Sequence, residues 1–541
     1  SLLLILSRLP IALMALQGQV ITLDEVLMSQ ASLDRFLGVP NAEMNWPGGT
    51  LLLLMVPLQA LAFAIQAKLN PSPQAFLTFL SEAYRSPWQI VFLARMLVIT
   101  ISSVGIASLY FPLAILTQNR TVRVASLLMS GTIPFIWVYS QMATVDALSL
   151  GLICASITCL SLRNSTGRII FAAIMFGFAL AAKATFVLAL PFLLTILWIT
   201  SNQPHKELLL YLVLTVLAFA FACPFVWTEP IRLAKAILGL STQRGEPQNL
   251  LEILKLLGQI SSLPMLIFFV LGCLNLAIGK QIVLLWGSLL TLALSIAIFS
   301  RAHGIVFDRY FMPCWPAFVF LTTAGLELIT QRLAQARLAN VSSRFLQRSF
   351  LVCVAVLVLS NHFSAYAATI RESQQEQETK RQIFRDLKKL NCQKSVMVPF
   401  ELFAYIAGDT SVESLQQLRA DLSRVKAEQT LTSFRSISRK DVDPTIIQYL
   451  GQNFNENERS FEARLRIMEF SEPKQKPLDI KLWHRYQRLN DRFGFQSPQQ
   501  VRESLVKNSI CAAILPEKFR VPLGLTGTRY DFYQLVVTPQ P

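Results

Sequence analysis

The sequence predicts a polytopic α-helical membrane protein of about eleven transmembrane helices, followed by a C-terminal α/β domain of roughly 170 residues. Three observations predict it. The 541 residues are 53% hydrophobic and only 15% charged, with a mean hydropathy of +0.46, too little polar surface to coat a soluble fold of this size. Apolar runs of spanning length recur through the first two thirds, separated by short basic connections. Charge then rises abruptly: residues 1–370 carry 22 Lys+Arg and 12 Asp+Glu, whereas 371–541 carry 27 and 21. The sequence therefore divides into a membrane domain, 1–370, with a first outer loop at 21–87, and a soluble domain, 371–541.

The predicted spans lie at about 1–20, 88–116, 124–143, 146–162, 168–182, 184–200, 207–226, 263–279, 281–299, 310–330 and 349–368. The first is read as a span and not a cleaved signal, because no small-residue cleavage site follows it. The connections bearing Arg120 and Arg123, Arg163 and Arg168, Lys206, Lys280, and Arg332, Arg337, Arg344 and Arg348 are short and basic, which places them in the cytoplasm. They alternate only if the further apolar run at 50–66 does not cross. That run, with Pro57 in its middle, is expected to lie bent in the outer interface. The N-terminus is then inside, and the first loop and the C-terminal domain are outside.

This topology brings Asp24, Asp146, Lys183, Arg301, His303 and Arg309 to the outer ends of spans. Ionisable residues gathered on one membrane face mark a site, against the simpler reading that each Lys or Arg snorkels to headgroups. Asp146 also has a structural alternative, as N-cap of the run that follows it. The net charge of +16 does not indicate nucleic acid: the basic residues of the membrane domain sit in short loops and build no basic face. Eight cysteines form no CxxC pair, and the four histidines are not spaced as ligands, so no required metal or other cofactor is expected.

The first loop opens on Thr22-Leu23-Asp24-Glu25-Val26. Asp146 stands just before the fourth span, Lys183 lies between two short apolar runs, and Arg309, Tyr310 and Pro313 open a later span in DRYFMPCWPAFVF. In order and spacing these features resemble the GT-C membrane glycosyltransferases, especially the protein O-mannosyltransferase-like group of glycosyltransferase family 39 and the aminoarabinose transferases. The resemblance runs along nearly all of residues 1–370. It departs at Asn45-Trp46-Pro47-Gly48, where the family often has a His-Pro-Pro or Glu-Lys-Pro-Pro element.

The resemblance implies transfer of a sugar from a polyprenyl-phosphate sugar to an acceptor protein, lipid or glycan on the outer face of a bacterial inner or plasma membrane. The phosphate leaves readily, so the acceptor hydroxyl needs a general base. Asp24 is the first choice and Glu25 its rival, with Asp146 as the second acid. Lys183, Arg301 and Arg309 would balance charge on the leaving phosphate, with His303 and Tyr310 as further substrate contacts. A single displacement would invert the anomeric centre. A transporter, or a non-catalytic GT-C-like subunit of a membrane assembly, is the alternative; no inverted repeat or matched pair of broken helices favours the transporter.

In the C-terminal domain the pattern predicts a helix at 371–390, a strand at 395–400, helical stretches to about 427, a strand at 461–470, a helix near 478–493, and strands at 511–516 and within 528–538. Cys392 and Cys511 each precede a predicted strand, and a disulfide between them is expected if those strands are parallel neighbours in the outer compartment.

Overall fold

A computed structural model describes residues 2–16, 49–67, 88–162, 166–223, 225–228, 230–231, 262–301, 308–335, 343–389, 396–399, 486–489, 512–516, 526–530 and 533–537, with residues 25, 28, 32, 36, 72, 75, 76, 79 and 83 of the first loop. The helices are α1 (Leu2–Leu16), α2 (Gly49–Gln66), α3 (Trp88–Ser108), α4 (Arg120–Gly131), α5 (Pro134–Tyr139), α6 (Val145–Ser161), α7 (Thr166–Ala182), α8 (Leu190–Thr200), α9 (Pro204–Ala222), α10 (Leu263–Ile278), α11 (Ile282–Arg301), α12 (Trp315–Gln335) and α13 (Ser343–Lys389). Two 3-10 segments matter for the site, Ala184–Ala189 before α8 and Asp308–Cys314 before α12.

Among the described residues, six helical segments are long and apolar enough to cross a bilayer: 49–66, 88–115, 204–222, 282–299, 309–335 and 345–368. Four shorter apolar helices, 145–161, 167–182, 184–200 and 263–278, accompany them. The chain is a multi-pass membrane protein. It divides into two compact units, one of residues 1–13, 44–54 and 92–368, the other of 14–43, 55–91 and 369–541.

Two helical elements differ from the sequence reading, as does one strand of the C-terminal sheet. The span expected at 124–143 is two helices, α4 and α5. Pro134 occupies the first turn of α5, and its ring forces Ile133 out of the helical region, to φ −50° and ψ 130°. Ser130 O, which loses its helical donor to Pro134, accepts from Trp315 Nε1 at 3.2 Å, and Arg8 Nη2 reaches Gly131 O at 3.5 Å, so the freed carbonyls at the break have donors. The segment expected to bend at Pro57 is a single 18-residue helix with that proline inside it. The span at 349–368 and the helix at 371–390 are one helix, α13, of 47 residues and about 70 Å, because no Gly or Pro interrupts residues 343–389.

Close helix contact in the membrane unit depends on glycine. A Cβ on Gly105 would stand 2.1 Å from Gly151 O, which pins α3 against α6, and one on Gly272 would stand 1.7 Å from Leu321 O, which does the same for α10 and α12. In the second unit, Phe63 of α2 and Phe36, Phe76 and Phe79 of the first loop form edge-on and tilted ring pairs at 5.3–6.3 Å. The Ser32 hydroxyl accepts from Gln59 Nε2 at 2.6 Å, again joining loop to helix.

The same unit holds a five-stranded sheet of β1 (Val396–Pro399), β2 (Tyr486–Leu489), β3 (Ala512–Pro516), β4 (Thr526–Arg529) and β5 (Tyr533–Val537), in the order β2-β1-β3-β5-β4. β1 is parallel to β2 and β3, while β5 runs antiparallel to β3 and β4. Residues 486–489 form a strand where the sequence predicts a helix; Tyr486 is an aromatic strand former, and pairing with β1 decides the state. The helices expected to about 427 and the strand at 461–470 lie outside the described residues, as do Cys392 and Cys511. The strands following those cysteines are parallel neighbours, with Val396 opposite Ala512. Tyr530 Oη donates to Asp386 Oδ2 at 2.9 Å, tying the sheet to the end of α13. Burial and then the Asp386 carboxylate push the phenol up to about 12. A raised phenol contributes stability that is fully present below its ordinary pKa of about 10 and lost as pH rises through about 12, so the contact holds at neutral pH.

The topology is checked by cysteine labelling. A membrane-impermeant thiol reagent added outside is expected to label a Cys placed at Ser72 and to leave one placed at Ser165 unlabelled. Labelling of Ser165 alone would require 50–66 to cross and would reverse the faces.

Candidate functional site

The first unit holds four of the sequence-predicted residues, Asp146, Lys183, Arg309 and Tyr310, and brings Asp146, Lys183 and Tyr310 into contact. α6 begins at Val145, with Thr144 as its N-cap, so Asp146 sits inside the first turn and is not the cap. Its carboxylate is turned to another segment. Lys183 ends α7, in an extended conformation (φ −151°, ψ 113°) that starts the 3-10 segment 184–189, and its ammonium donates directly to Asp146 Oδ1 in a close ion pair. Asp146 is 2% exposed and Lys183 4%. Two opposite charges in so little solvent are retained only as a pair, because either alone would carry its full desolvation cost.

The 3-10 segment 308–314 supplies the third wall. Lys183 Nζ lies 4.8 Å from the centroid of the Tyr310 ring, within cation–π range. Tyr310 stacks on Phe299 at 5.5 Å and 20°, and packs against a buried cluster of Leu188, Phe299, Phe311 and Cys314. Arg309, 9% exposed, places its guanidinium 5.7 Å from the Tyr139 centroid at the end of α5. Tyr139 is held from behind. Its neighbour Trp137 stacks on Tyr366 of α13 at 4.3 Å, Gln141 Nε2 donates to Trp137 O at 2.7 Å, and Tyr366 Oη donates to Gln141 Oε1 at 2.8 Å.

Chemically, the arrangement is a buried carboxylate–ammonium pair with one tyrosine ring against the ammonium, while Arg309, next to that tyrosine in the chain, carries its guanidinium near Tyr139. It offers cations to an anionic group and a carboxylate that can accept a proton or orient a hydroxyl, in surroundings where such charges act strongly.

The remaining predicted residues stand differently. Glu25 belongs to the second unit and is fully buried there. Arg301 ends α11, its side chain outside the described residues. Asp24, His303 and the segment Asn45-Trp46-Pro47-Gly48 also lie outside them.

Three residues were missed by the sequence reading. Tyr139 and Thr144 flank the turn that leads into Asp146; a Thr two residues ahead of an acidic residue at a helix start was the available signal for Thr144. Arg8, within the first apolar run, is 0% exposed and donates to Ser103 Oγ at 2.7 Å. Its reach to Gly131 O makes it a brace for the carbonyl end of α4.

No protein-family model matches the sequence, and no curated protein matches it. Two solved structures are similar to the chain along its length. One is ArnT from Cupriavidus metallidurans bound to undecaprenyl phosphate, at 14% identity and a TM-score of 0.39, with 100% of this chain and 99% of that chain covered. The other is the same protein in the apo state, at 14% identity and a TM-score of 0.44, with the same coverage.

Proposed function

We propose that this chain is a membrane glycosyltransferase that moves a sugar from a polyprenyl-phosphate sugar to an acceptor at the outer face. The observation that carries the reading is the buried Asp146–Lys183 pair against Tyr310, with Arg309 beside it. Buried ionisable groups at the ends of membrane helices are costly, and cations gathered there suit a phosphate at headgroup depth. The ordered motifs of residues 1–370 support the same reading.

In the proposed reaction the acceptor oxygen attacks the anomeric carbon while the bond from that carbon to the phosphate oxygen breaks. The acceptor proton passes to a carboxylate, assigned to Asp24 by the resemblance, and the polyprenyl phosphate leaves with the bonding pair. Lys183 and Arg309 stabilise the charge gathering on the phosphate, with Arg301 and His303 as further contacts. Asp146 sets the position of the Lys183 ammonium and offers a second carboxylate. Tyr310, its ring stacked on Phe299 and covered by the Lys183 ammonium, would meet a sugar with its ring edge.

The C-terminal residues would lie outside the cytoplasm. Their share of a compact unit with the first loop supports that side. They would hold the acceptor.

The mechanism is tested by stereochemistry. With a polyprenyl-phosphate sugar of defined anomeric configuration, NMR of the product is expected to show the opposite configuration, and a chelator is expected to leave the rate unchanged. Retention of configuration would rule out a single displacement, and loss of activity restored by a divalent cation would show a metal requirement.

A further inference from the structure

We propose that the N-terminus of α6 and the Thr144 hydroxyl form an oxyanion subsite that takes a phosphate oxygen of the lipid donor, an inference that rests on the functional reading above. Thr144 is the N-cap of a 17-residue helix and has the extended conformation of one, φ −113° and ψ 153°. A threonine so placed ordinarily turns its hydroxyl onto an N–H of the first turn. Thr144 does not: it makes no side-chain capping bond.

The hydroxyl is not spent elsewhere. Thr144 is 2% exposed, and its Oγ1 is buried without a hydrogen-bond partner among the described residues. The opening N–H groups of a helix have no partner within it, and here the N-cap side chain supplies none. One helix end therefore holds a hydroxyl and backbone N–H groups, all able to donate, together with the positive end of the helix dipole.

Asp146 in the same turn would oppose an anion if its carboxylate were unbalanced, but Lys183 neutralises it. A ligand that suits several convergent donors and a helix N-terminus is an anionic oxygen, and a phosphate offers three. The subsite would hold the phosphate while the sugar lies toward Tyr310.

Binding to the full-length protein in detergent decides it, with undecaprenyl phosphate as probe and undecaprenol, which lacks the phosphate, as control. Thr144→Val removes the hydroxyl at nearly constant shape and is expected to weaken undecaprenyl phosphate binding about tenfold. Undecaprenol binding should not change, and Thr144→Ser should bind like the native protein. Both variants should keep the native thermal midpoint, because no capping bond is lost. Inorganic phosphate that competes with the lipid in the native protein, and less well in Thr144→Val, would place the recognition in the phosphate group itself; no competition would tie it to the lipid headgroup.

Equal binding of undecaprenyl phosphate by the native protein and Thr144→Val overturns the subsite and leaves the functional reading intact. So does equal weakening of undecaprenol, or a fall in thermal midpoint that accounts for the loss. Failure of the native protein to bind undecaprenyl phosphate would remove the functional reading, and the subsite with it.

Discussion

Asp146→Asn is expected to lower sugar transfer by about 10² to 10⁴ and to destabilise the protein as well. Both effects follow from one contact. Asp146 and Lys183 are almost fully buried and bonded to each other, and removing one member of such a pair strands the other charge, at about 3–5 kcal/mol. Lys183→Met should show the same two losses.

The double variant Asp146→Asn/Lys183→Met separates the causes. With no charge left unpaired, its thermal midpoint should recover most of what either single variant loses, because replacing both partners of a buried pair is far less costly than replacing one. Transfer should stay as low as in the worse single variant. Recovery of activity together with stability would mean that the pair only holds α6 and α7 together, and the catalytic assignment would fail.

Asp24→Asn is the second large expectation: transfer falls by about 10² to 10⁴, the range a lost general base gives, while expression and thermal midpoint stay near native. Glu25→Gln should differ from it. Glu25 is fully buried in the second unit, so its substitution is expected to lower the thermal midpoint even where turnover survives. Near-normal turnover by Asp24→Asn would transfer the role of base to another carboxylate, with Glu25 next in order.

Much of this architecture is legible in one sequence because the physics behind it is local. The long apolar runs and the strands at 395–400 and 511–516 follow from composition and alternation over short windows, and the structure has helices or strands over the described part of each. The break at 131–134 was legible too, since Pro134 excludes helical geometry from the residue before it, but a run of apolar residues on both sides outweighed one imide. Continuity of α13 through residue 370 was obscured by the change from apolar to charged composition, although composition marks the solvent and not the end of a helix.

The ion pair was not legible in that way. Asp146 and Lys183 each stood out as an ionisable residue at a span end, but no periodicity says that two residues 37 apart turn their side chains toward each other. Tyr139 and Arg8 escaped for the same reason, since their partners, Arg309 and Ser103, are far along the chain. The parallel neighbourhood of β1 and β3 was assumed from strand positions and is present in the sheet.

Turnover decides whether the residues around Asp146 and Lys183 transfer sugar from a lipid phosphate, as proposed. Purified protein in detergent or liposomes is incubated with a radiolabelled polyprenyl-phosphate sugar and a hydroxyl acceptor. The predicted result is label on the acceptor with release of free polyprenyl phosphate, abolished in Asp146→Asn/Lys183→Met. Neither release nor transfer across a panel of such donors, with the native fold intact, would contradict the account.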